Sequence, residues 1–511
     1  MTYRELLRGN ADFRWLWLGQ VVSEVGDWLN NIAVLALTIE LAGPGREGLA
    51  VAVYAIARHL PLLVFGPIAG VAVDRFDRRR LMIASDVARA VLSLGFLAAA
   101  ALTSVGVLYL VVASLFCVAA FFNAARRATI PNLARGTEEL LGANSLSAST
   151  TAATIAVGSA LGGVAATALG RETLFVINAL TFLASAELIR RVSRRAAGGH
   201  ASRQLTPRGV VRPAPGAEEG SARAGPEAAV AAVRVGGAEV EGVKVESPVP
   251  TAVHSPAVAV AVAGGGRAPF GTVRSAVVKV AIEFREGLRY VRRDAVLAAC
   301  FVVAAGWGLG NGAARALYSI FGARLGAEAV AGWEGAWRPL VERPTDFGIS
   351  VLFVAMGVGG VLGAPLARRF NSAGGAGLGS RMGRSLVLDG CGLAVFSLAP
   401  GLWTASLVLI AREMNFAIWW TAQQTIMMRR TEDRYAGRVF ASFETLTTLT
   451  MVGAMFASGA SADRVGIRLV AGVGGLIIVA SGLLWFVLRP GGRAAERLGP
   501  EAREGAGLAD D

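Results

Sequence analysis

The chain has 511 residues, of which 54% are hydrophobic and 17% are charged, and its formal net charge is +13. Soluble domains are normally richer in charge, and the apolar residues here lie in long blocks, so the composition excludes an ordinary soluble protein and indicates a membrane protein. The arginines lie between these blocks, which favours an anionic lipid surface over nucleic acid as their partner. Cys117, Cys300 and Cys391 lie within apolar blocks, so the sequence indicates no disulfide framework and no zinc site, and we expect no metal or cofactor.

The apolar blocks predict an all-α membrane protein with about twelve transmembrane helices in two halves of six. No small-residue cleavage site follows the first block, so we interpret it as a retained helix. The predicted spans of the first half are Trp15–Leu41, Leu49–Val73, Leu81–Leu102, Val105–Ala125, Leu141–Leu169 and Leu174–Ile189. Those of the second half are Ala295–Phe321, Phe347–Ala367, Ser385–Ala399, Leu402–Met428, Val439–Ala460 and Ile467–Leu488.

The composition changes between the two predicted halves, 1–193 and 294–489. Residues 194–269 are rich in Ala, Gly, Pro and Val without a helical period, which predicts a disordered cytoplasmic linker. Residues 270–293 place apolar side chains at helical spacing among arginines, which predicts an amphipathic helix on the membrane surface. A soluble helix that binds a partner protein is the alternative. A polar tail, 490–511, ends the chain.

The arginine distribution predicts the orientation in the membrane. The loops after the second, fourth, eighth and tenth predicted spans hold 15 arginines, whereas the loops at the other end hold 7. Positive charge accumulates in cytoplasmic loops, so both termini are expected in the cytoplasm.

The stretch GPIAGVAVDRFDRRRLM, Gly66 to Met82, combines a small-residue helix face with a charged turn. Small residues four apart let a neighbouring helix approach closely, and a carboxylate beside arginines can form or break an ion pair as helices move. We therefore predict a conformational latch here; a loop that only fixes topology is the alternative. The latch residues are Gly66, Gly70, Asp74, Arg75, Arg78, Arg79 and Arg80.

This string resembles the loop between the second and third helices of the major facilitator superfamily, G-x-L-a-D-r-x-G-r-k-R, with Asp77 where that family usually has Gly. Ala125–Leu146, Glu286–Leu297 and Asp433–Phe443 are similar to the exporter branch that includes macrolide efflux proteins and the enterobactin exporter. The resemblance implies a plasma-membrane monomer that handles its substrate between two halves. It also implies export of a drug-like or siderophore-like small molecule against an inward proton flow. No G-x-x-x-x-G-K-[ST] string is present, so ATP is not the expected driver.

An internal repeat supports two related halves. GPIAGVAVDRF aligns with GVLGAPLARRF, which starts at Gly360, and Asp86 aligns with Asp389. Asp74 corresponds to Arg368, so the latch is expected to be strong only in the first half.

Polar residues inside the predicted spans are candidates for a central cavity. A charge at membrane depth costs about 3 kcal/mol or more, so it is retained mainly where it faces a cavity or a partner. A structural ion pair with Arg58 is the alternative for Glu24 and Asp27, and one of these carboxylates is expected to exchange protons. The cavity or coupling candidates are Gln20, Glu24, Asp27, Asn31, Arg58, Glu413, Gln424 and Glu444.

The fifth span contains GSALGG, similar to the G-P-x-x-G-G pattern of exporters in the superfamily, with Ser159 in place of Pro. Gly158, Gly162 and Gly163 are its packing candidates, and ordinary small-residue packing is the alternative. A transporter-derived sensor or scaffold that binds a partner through the linker remains a second functional hypothesis. An enzyme is not expected, because the sequence shows neither a nucleophile–base set nor a cluster of metal ligands.

Overall fold

The computed structural model describes residues 2–193, 282, 284–331, 342–371 and 377–488, and the regular structure in these ranges is helical. The predicted linker, 194–269, and the predicted tail, 490–511, lie outside them. The helices of the first half are α1 (Tyr3–Gly9), α2 (Ala11–Ala42), α3 (Glu47–Arg75), α4 (Arg78–Ala101), α5 (Val105–Leu133), α6 (Thr137–Leu169) and α7 (Arg171–Arg190). Those of the second half are α8 (284–291), α9 (Ala295–Arg315), α10 (Tyr318–Ala329), α11 (Pro344–Asn371), α12 (Leu378–Ser397), α13 (Leu402–Arg430), α14 (Asp433–Val465) and α15 (Ile467–Leu488).

The described helices form the twelve spans that the sequence predicts. Six are α2 to α7, the seventh is α9 continued by α10 after a short turn, and α11 to α15 complete the second six. Within the described ranges, ten spans are long and apolar enough to cross a membrane by length and composition, with α9 and α10 counted together. The other two are α12 and α13, which hold charged side chains such as Asp389 and Arg412 inside the span. The prediction of an all-α membrane fold in two six-helix halves is confirmed.

Local sequence determines where several helices begin and turn. Asp77 accepts a hydrogen bond from the Arg80 N–H at 2.7 Å and caps α4, while Asp294 accepts from two N–H groups at 2.8 and 3.0 Å and caps α9. Gly170 (φ 90°) and Gly466 (φ 92°) make the tight reversals from α6 to α7 and from α14 to α15. This backbone conformation favours glycine, and the two glycines occupy matching places in the two halves.

The helices of the two halves pack in the same order. In the first half, α2 packs against α6 and α7, and α4 against α5 and α7, while α3 packs against α5. In the second half, α9 packs against α14 and α15, and α12 against α13 and α15, while α11 packs against α13. Between the halves, α3 packs against α14 and α6 against α11, so these contacts also correspond. This order fits the internal repeat seen in the sequence.

Helix α8 is the described part of the predicted amphipathic helix, and it contacts the start of α14. The rings of Tyr290 and Tyr435 stack with centroids 4.6 Å apart, and Glu286 pairs with Arg438 at 3.2 Å. A Cβ on Gly287 would lie 2.6 Å from the carbonyl oxygen of Arg438. One face of α8 is therefore covered by the second half, and its location on the membrane surface stays a prediction.

The predicted packing glycines of the fifth span lie between helices. A Cβ on Gly158 would lie 2.7 Å from the Cβ of Trp28, and one on Gly162 would lie 2.8 Å from the carbonyl oxygen of Leu29, both on α2. Gly163 faces Ser350 of α11 instead. The motif therefore packs one face of α6 against its own half and the neighbouring face against the other half.

A pair of glycine substitutions tests this packing. Gly162→Ala should lower the stability of the protein by about 1–3 kcal/mol, because the new methyl group meets backbone atoms of α2 that cannot move aside cheaply. Gly70→Ala is the matched control, since no described residue of another helix would lie within 4 Å of the added methyl group. The thermal unfolding midpoint of the purified protein checks both. An equal midpoint for the two variants would contradict the close approach at Gly162.

Candidate functional site

A cavity of about 150 Å³ lies among the helices of the first half. Its wall carries carboxylates and guanidinium groups beside aromatic rings, including those of Trp28 and Phe116. Such a mixture of charged, polar and aromatic side chains suits an organic ligand with polar groups. The five first-half cavity candidates all line it: Gln20, Glu24, Asp27, Asn31 and Arg58.

Glu24 lies on the α2 wall of this cavity among neutral donors. Its carboxylate accepts hydrogen bonds from Gln20 Nε2 at 2.9 Å, Thr154 Oγ1 at 3.1 Å and Thr151 Oγ1 at 3.4 Å. Of the described guanidinium groups, none lies within 4 Å of it. The carboxylate is therefore held in place by groups that carry no compensating charge.

Asp27 lies one turn further along α2, beside a buried ion pair on α4. Arg89 pairs with Asp86, and its Nη1 lies 3.8 Å from the Asp27 carboxylate. The Arg89 guanidinium also lies over the rings of Phe122 and Phe182, at 4.2 and 4.3 Å from their centroids. Arg58 also acts electrostatically on Asp27, but among the described arginines it is Arg89 that lies within 4 Å of this carboxylate.

Arg58 and Asn31 form a separate polar group on the cavity wall. Asn31 Oδ1 accepts hydrogen bonds from Arg58 Nη1 at 2.7 Å and from the Tyr54 hydroxyl at 2.7 Å. The guanidinium lies over the rings of Trp28 and Phe116, at 5.5 and 4.7 Å from their centroids. Arg58 is thus oriented by neutral and aromatic neighbours.

The second half buries a charge cluster that does not line the cavity. Arg412 Nε lies 3.1 Å from an oxygen of Asp389, and its other nitrogens bond the Tyr318 hydroxyl and Asn311 Oδ1. Asp389 also accepts from Trp307 Nε1 at 3.1 Å. Both members of the pair are almost fully buried, so the cluster ties α9, α10, α12 and α13 together.

The second-half cavity candidates occupy different surroundings. Glu413 is buried, with its carboxylate 3.8 Å from Arg412, and it is not among the side chains that line the cavity. Gln424 is half-buried, and it is the neighbouring Gln423 that donates to the Cys300 carbonyl at 2.9 Å. Glu444 is half-buried and interacts electrostatically with Arg127 of the first half.

The sequence contains a signal for the Asp389–Arg412 pair that we did not use. The repeat that aligns Asp86 with Asp389 places Gly392 where the first half has Arg89. A Cβ on Gly392 would lie 3.7 Å from the Arg412 side chain, which fills that space from α13. The missing arginine on α12 therefore predicts a partner from another helix.

Polar contacts join the two halves at the end of the bundle that lies away from the predicted latch. We call it the opposite end, and it carries the loops 42–47, 169–171 and 465–467. Asp463 of α14 accepts hydrogen bonds from the N–H groups of Gly48 at 2.7 Å and Leu49 at 3.0 Å. Arg46, the residue that precedes α3, provides no side-chain cap. Helix α3 is therefore capped by a carboxylate from the other half, which also complements its dipole.

Arg171 makes a second contact between the halves at this end. Its Nε lies 3.0 Å from Asp346 Oδ1 and its Nη2 lies 2.9 Å from Asp346 Oδ2, while Nη1 bonds Glu40. Asp346 is fully buried at the start of α11. The two-point geometry of a guanidinium and a carboxylate is among the stronger polar contacts in proteins. Neither Asp463 nor Arg171 was among the predicted site residues.

The fold and these contacts agree with comparisons to known proteins. Residues 16–452 match the Major Facilitator Superfamily. The chain belongs to this family. It is 33% identical over 183 residues to the putative bacilysin exporter BacE of Bacillus amyloliquefaciens, covering 35% of this chain and 44% of that protein. It is 33% identical over 75 residues to macrolide efflux protein A of Streptococcus pyogenes, covering 15% of this chain and 18% of that protein.

The chain thus spans less than half the length of these curated relatives. A solved structure has the same fold over nearly the whole chain: the bacterial homologue of the human lysosomal transporter Spinster, in an inward-facing and unoccupied conformation. Its TM-score is 0.59 at 12% identity, and the match covers 98% of this chain and 99% of that one. These similarities place the protein among membrane transporters with efflux-type relatives, rather than among enzymes.

The ion pair predicted for the latch is not found among the described residues. Asp74 is exposed and makes no hydrogen bond or ion pair with the described residues. Arg78 donates to the Ala128 carbonyl at 2.7 Å, and Arg79 donates to carbonyls at the C-terminal end of α7. Among the described residues, no neighbouring helix comes within 4 Å of a Cβ placed on Gly66 or Gly70. Neither the ion pair of Asp74 nor the close helix approach is therefore formed with the described part of the chain, and Arg78 and Arg79 bind backbone carbonyls.

The buried pair in the transporter's second half gives a stability prediction. Arg412→Met should destabilise the protein by about 3–5 kcal/mol, because it leaves the Asp389 carboxylate buried without its charged partner. Adding Asp389→Asn should recover much of that loss. Thermal unfolding of the purified variants measures the effect, with the exposed Arg384→Met as the matched control. If the double variant were no more stable than Arg412→Met, the cost would not come from an orphaned charge.

Proposed function

We propose that the protein is a secondary active transporter that exports a small organic molecule in exchange for protons by alternating access. The observation that carries the proposal is the polar seal at the opposite end, formed by Asp463 and Arg171 across the two halves. Such contacts hold one end shut without filling the cavity. A scaffold protein does not require two halves that can separate at one end.

The orientation of this seal follows from the arginine bias of the loops, which favours a cytoplasmic location for the end that carries the chain termini. On that orientation the opposite end faces outward, and the structure represents the state closed to the outside. The predicted latch lies at the cytoplasmic end, and Asp74 has no partner there among the described residues. Closing that end would bring the end of α3 toward the start of α14, whose preceding residue, Glu432, provides no side-chain cap.

Glu24 is the carboxylate that we assign to proton exchange. Neutral donors orient it, and it lines the cavity, so it can take up a proton without breaking an ion pair. Asp27 is less suited, because Arg89 lies 3.8 Å away and Asp86 is already bound to that guanidinium. Protonation of Glu24 removes a charge from the cavity wall. This lowers the free-energy cost of burying that wall when the halves close.

Transport by inverted membrane vesicles tests the proposed function. Export from the cell corresponds to uptake by such vesicles. Some molecules of a compound panel should therefore accumulate in the vesicles when the lumen is acidified. Their accumulation should stop when nigericin collapses the pH gradient. Accumulation that ignores the gradient would remove the proton-exchange part of the proposal. Absence of movement for every compound, in vesicles that contain folded protein, would count against export and favour the sensor or scaffold hypothesis.

The same assay tests Glu24 directly. Glu24→Gln should remove gradient-driven accumulation while exchange of labelled substrate across the membrane continues, because the amide keeps the shape of the side chain and one acceptor oxygen but loses the exchangeable proton. Glu328→Gln, on the exposed face of α10, is the matched control and should behave as the unaltered protein. Gradient-driven accumulation at the normal rate in Glu24→Gln would exclude this residue as the coupling site.

Spin-label distances test the seal. Leu102 and Leu398 are exposed loop residues of the two halves at the opposite end, and cysteines placed there in a cysteine-free background carry the labels. Asp463→Ala should raise the population with a long distance about fivefold, since a lost helix cap costs about 1 kcal/mol. Asp294→Ala, which removes a cap within one half, is the control. A distance distribution unchanged by Asp463→Ala would mean that this carboxylate does not hold the end shut.

A further inference from the structure

Arg58 differs from Arg89, Arg171 and Arg412, which each bind a carboxylate of the chain. Arg58 uses Nη1 for two neutral oxygens, on Asn31 at 2.7 Å and on Tyr54 at 3.1 Å. No carboxylate of the described ranges lies within 4 Å of it, and its Nε and Nη2 donate no hydrogen bond to the residues described.

The guanidinium of Arg58 is nevertheless held in a fixed place on the cavity wall. Two rings, of Trp28 and Phe116, contact it, and Asn31 is itself fixed by the Tyr54 hydroxyl. A guanidinium at membrane depth is costly unless it faces a cavity or a counter-charge. Arg58 lines the cavity, and Asp27 on the same wall acts on it electrostatically without lying within 4 Å, so no carboxylate of the described ranges binds its guanidinium directly.

We propose that Arg58 binds a carboxylate of the transported molecule, an inference that rests on the proposed function. The Nε–H and the adjacent Nη2–H point in nearly the same direction and match the two oxygens of a carboxylate. The rings of Trp28 and Phe116 provide apolar surface next to this position, so the carboxylate belongs to a molecule with an aromatic or apolar body. The substrate class is thus an organic acid rather than a purely cationic compound.

Arg126 lines the same cavity and extends its positive wall. Its Nε is buried without a hydrogen-bond partner in the described part of the chain, and Glu24 on the same wall acts on it electrostatically without lying within 4 Å. A second acidic group, or a polar oxygen elsewhere on the substrate, would satisfy this donor. The two arginines lie on α3 and α5, so a ligand that contacts both connects adjacent helices of the first half.

Fluorescence quenching tests the anion site without requiring transport. Iodide quenches nearby tryptophan, and subtracting the signal of Trp28→Phe isolates the contribution of Trp28 in the purified full chain. Iodide should quench Trp28 well, and Arg58→Gln should reduce its Stern–Volmer constant by about fivefold, since a nearby positive charge concentrates the anion. Neutral acrylamide should quench Trp28 equally in both proteins. Arg384→Gln is the matched control and should leave iodide quenching unchanged.

Competition then distinguishes a carboxylate from other anions. 3-Phenylpropionate should protect Trp28 from iodide at concentrations about tenfold lower than either 3-phenylpropionamide or inorganic phosphate, because only the acid combines two carboxylate oxygens with an apolar body. Arg58→Lys keeps the charge and should retain iodide quenching while losing this preference. Protection by the amide at the same concentration as the acid, or iodide quenching of Trp28 that survives in Arg58→Gln, would overturn the inference.

These outcomes are separate from those of the proposed function. Failure of every panel compound to cross the membrane leaves the quenching result intact and counts only against export. Transport of compounds that lack an acidic group, at rates unaffected by Arg58→Gln, overturns the carboxylate assignment and leaves the transporter assignment in place.

Discussion

A charge inside a membrane protein needs a partner or water, and this constraint explains much of the structure. Arg89 and Arg412 hold carboxylates inside the two halves, where the pairs bind neighbouring helices together. Arg171 holds a buried carboxylate across the halves. Removing one partner of any of these ion pairs would leave a buried charge unpaired, which destabilises the fold. The charges without such partners, on Glu24 and Arg58, lie on the wall of the cavity instead.

The two halves share a packing order but divide the chemistry unequally. In the first half, the acid of α4 finds its arginine on the same helix, and Arg126 of α5 lines the cavity. In the second half, the corresponding acid takes its arginine from α13, and the pair is hydrogen-bonded to a tyrosine, an asparagine and a tryptophan. The described cavity is thus lined by the first half, while the matching charges of the second half bind helices together. Repetition of a fold does not require repetition of its site.

The sequence predicted the features that depend on patterns within one helix. Ten of the twelve spans follow from apolar length, and the cavity face of α2 follows from polar residues at spacings of four, three and four from Gln20 to Asn31. The seal could not be predicted in this way, because Asp463 and Gly48 are 415 positions apart and an acid near a loop looks like an ordinary surface residue. The latch was predicted from a local string, yet its ion pair depends on the conformation, which the string does not determine.

The antiparallel pair α3 and α14 connects the seal to the latch. At the opposite end, the start of α3 meets Asp463 near the end of α14, and small residues at Gly48 and Gly459 let the two helices touch. At the other end, Asp74 lies one residue before the end of α3, and α14 begins at this same end of the antiparallel pair. Each helix thus carries an acid near its own C-terminal end, where it can complement the positive N-terminal dipole of its partner. In the described conformation the acid at the opposite end is bound and Asp74 is exposed. A second conformation, in which Asp74 caps the start of α14 while Asp463 leaves the start of α3, belongs to the alternating access that we propose for this protein.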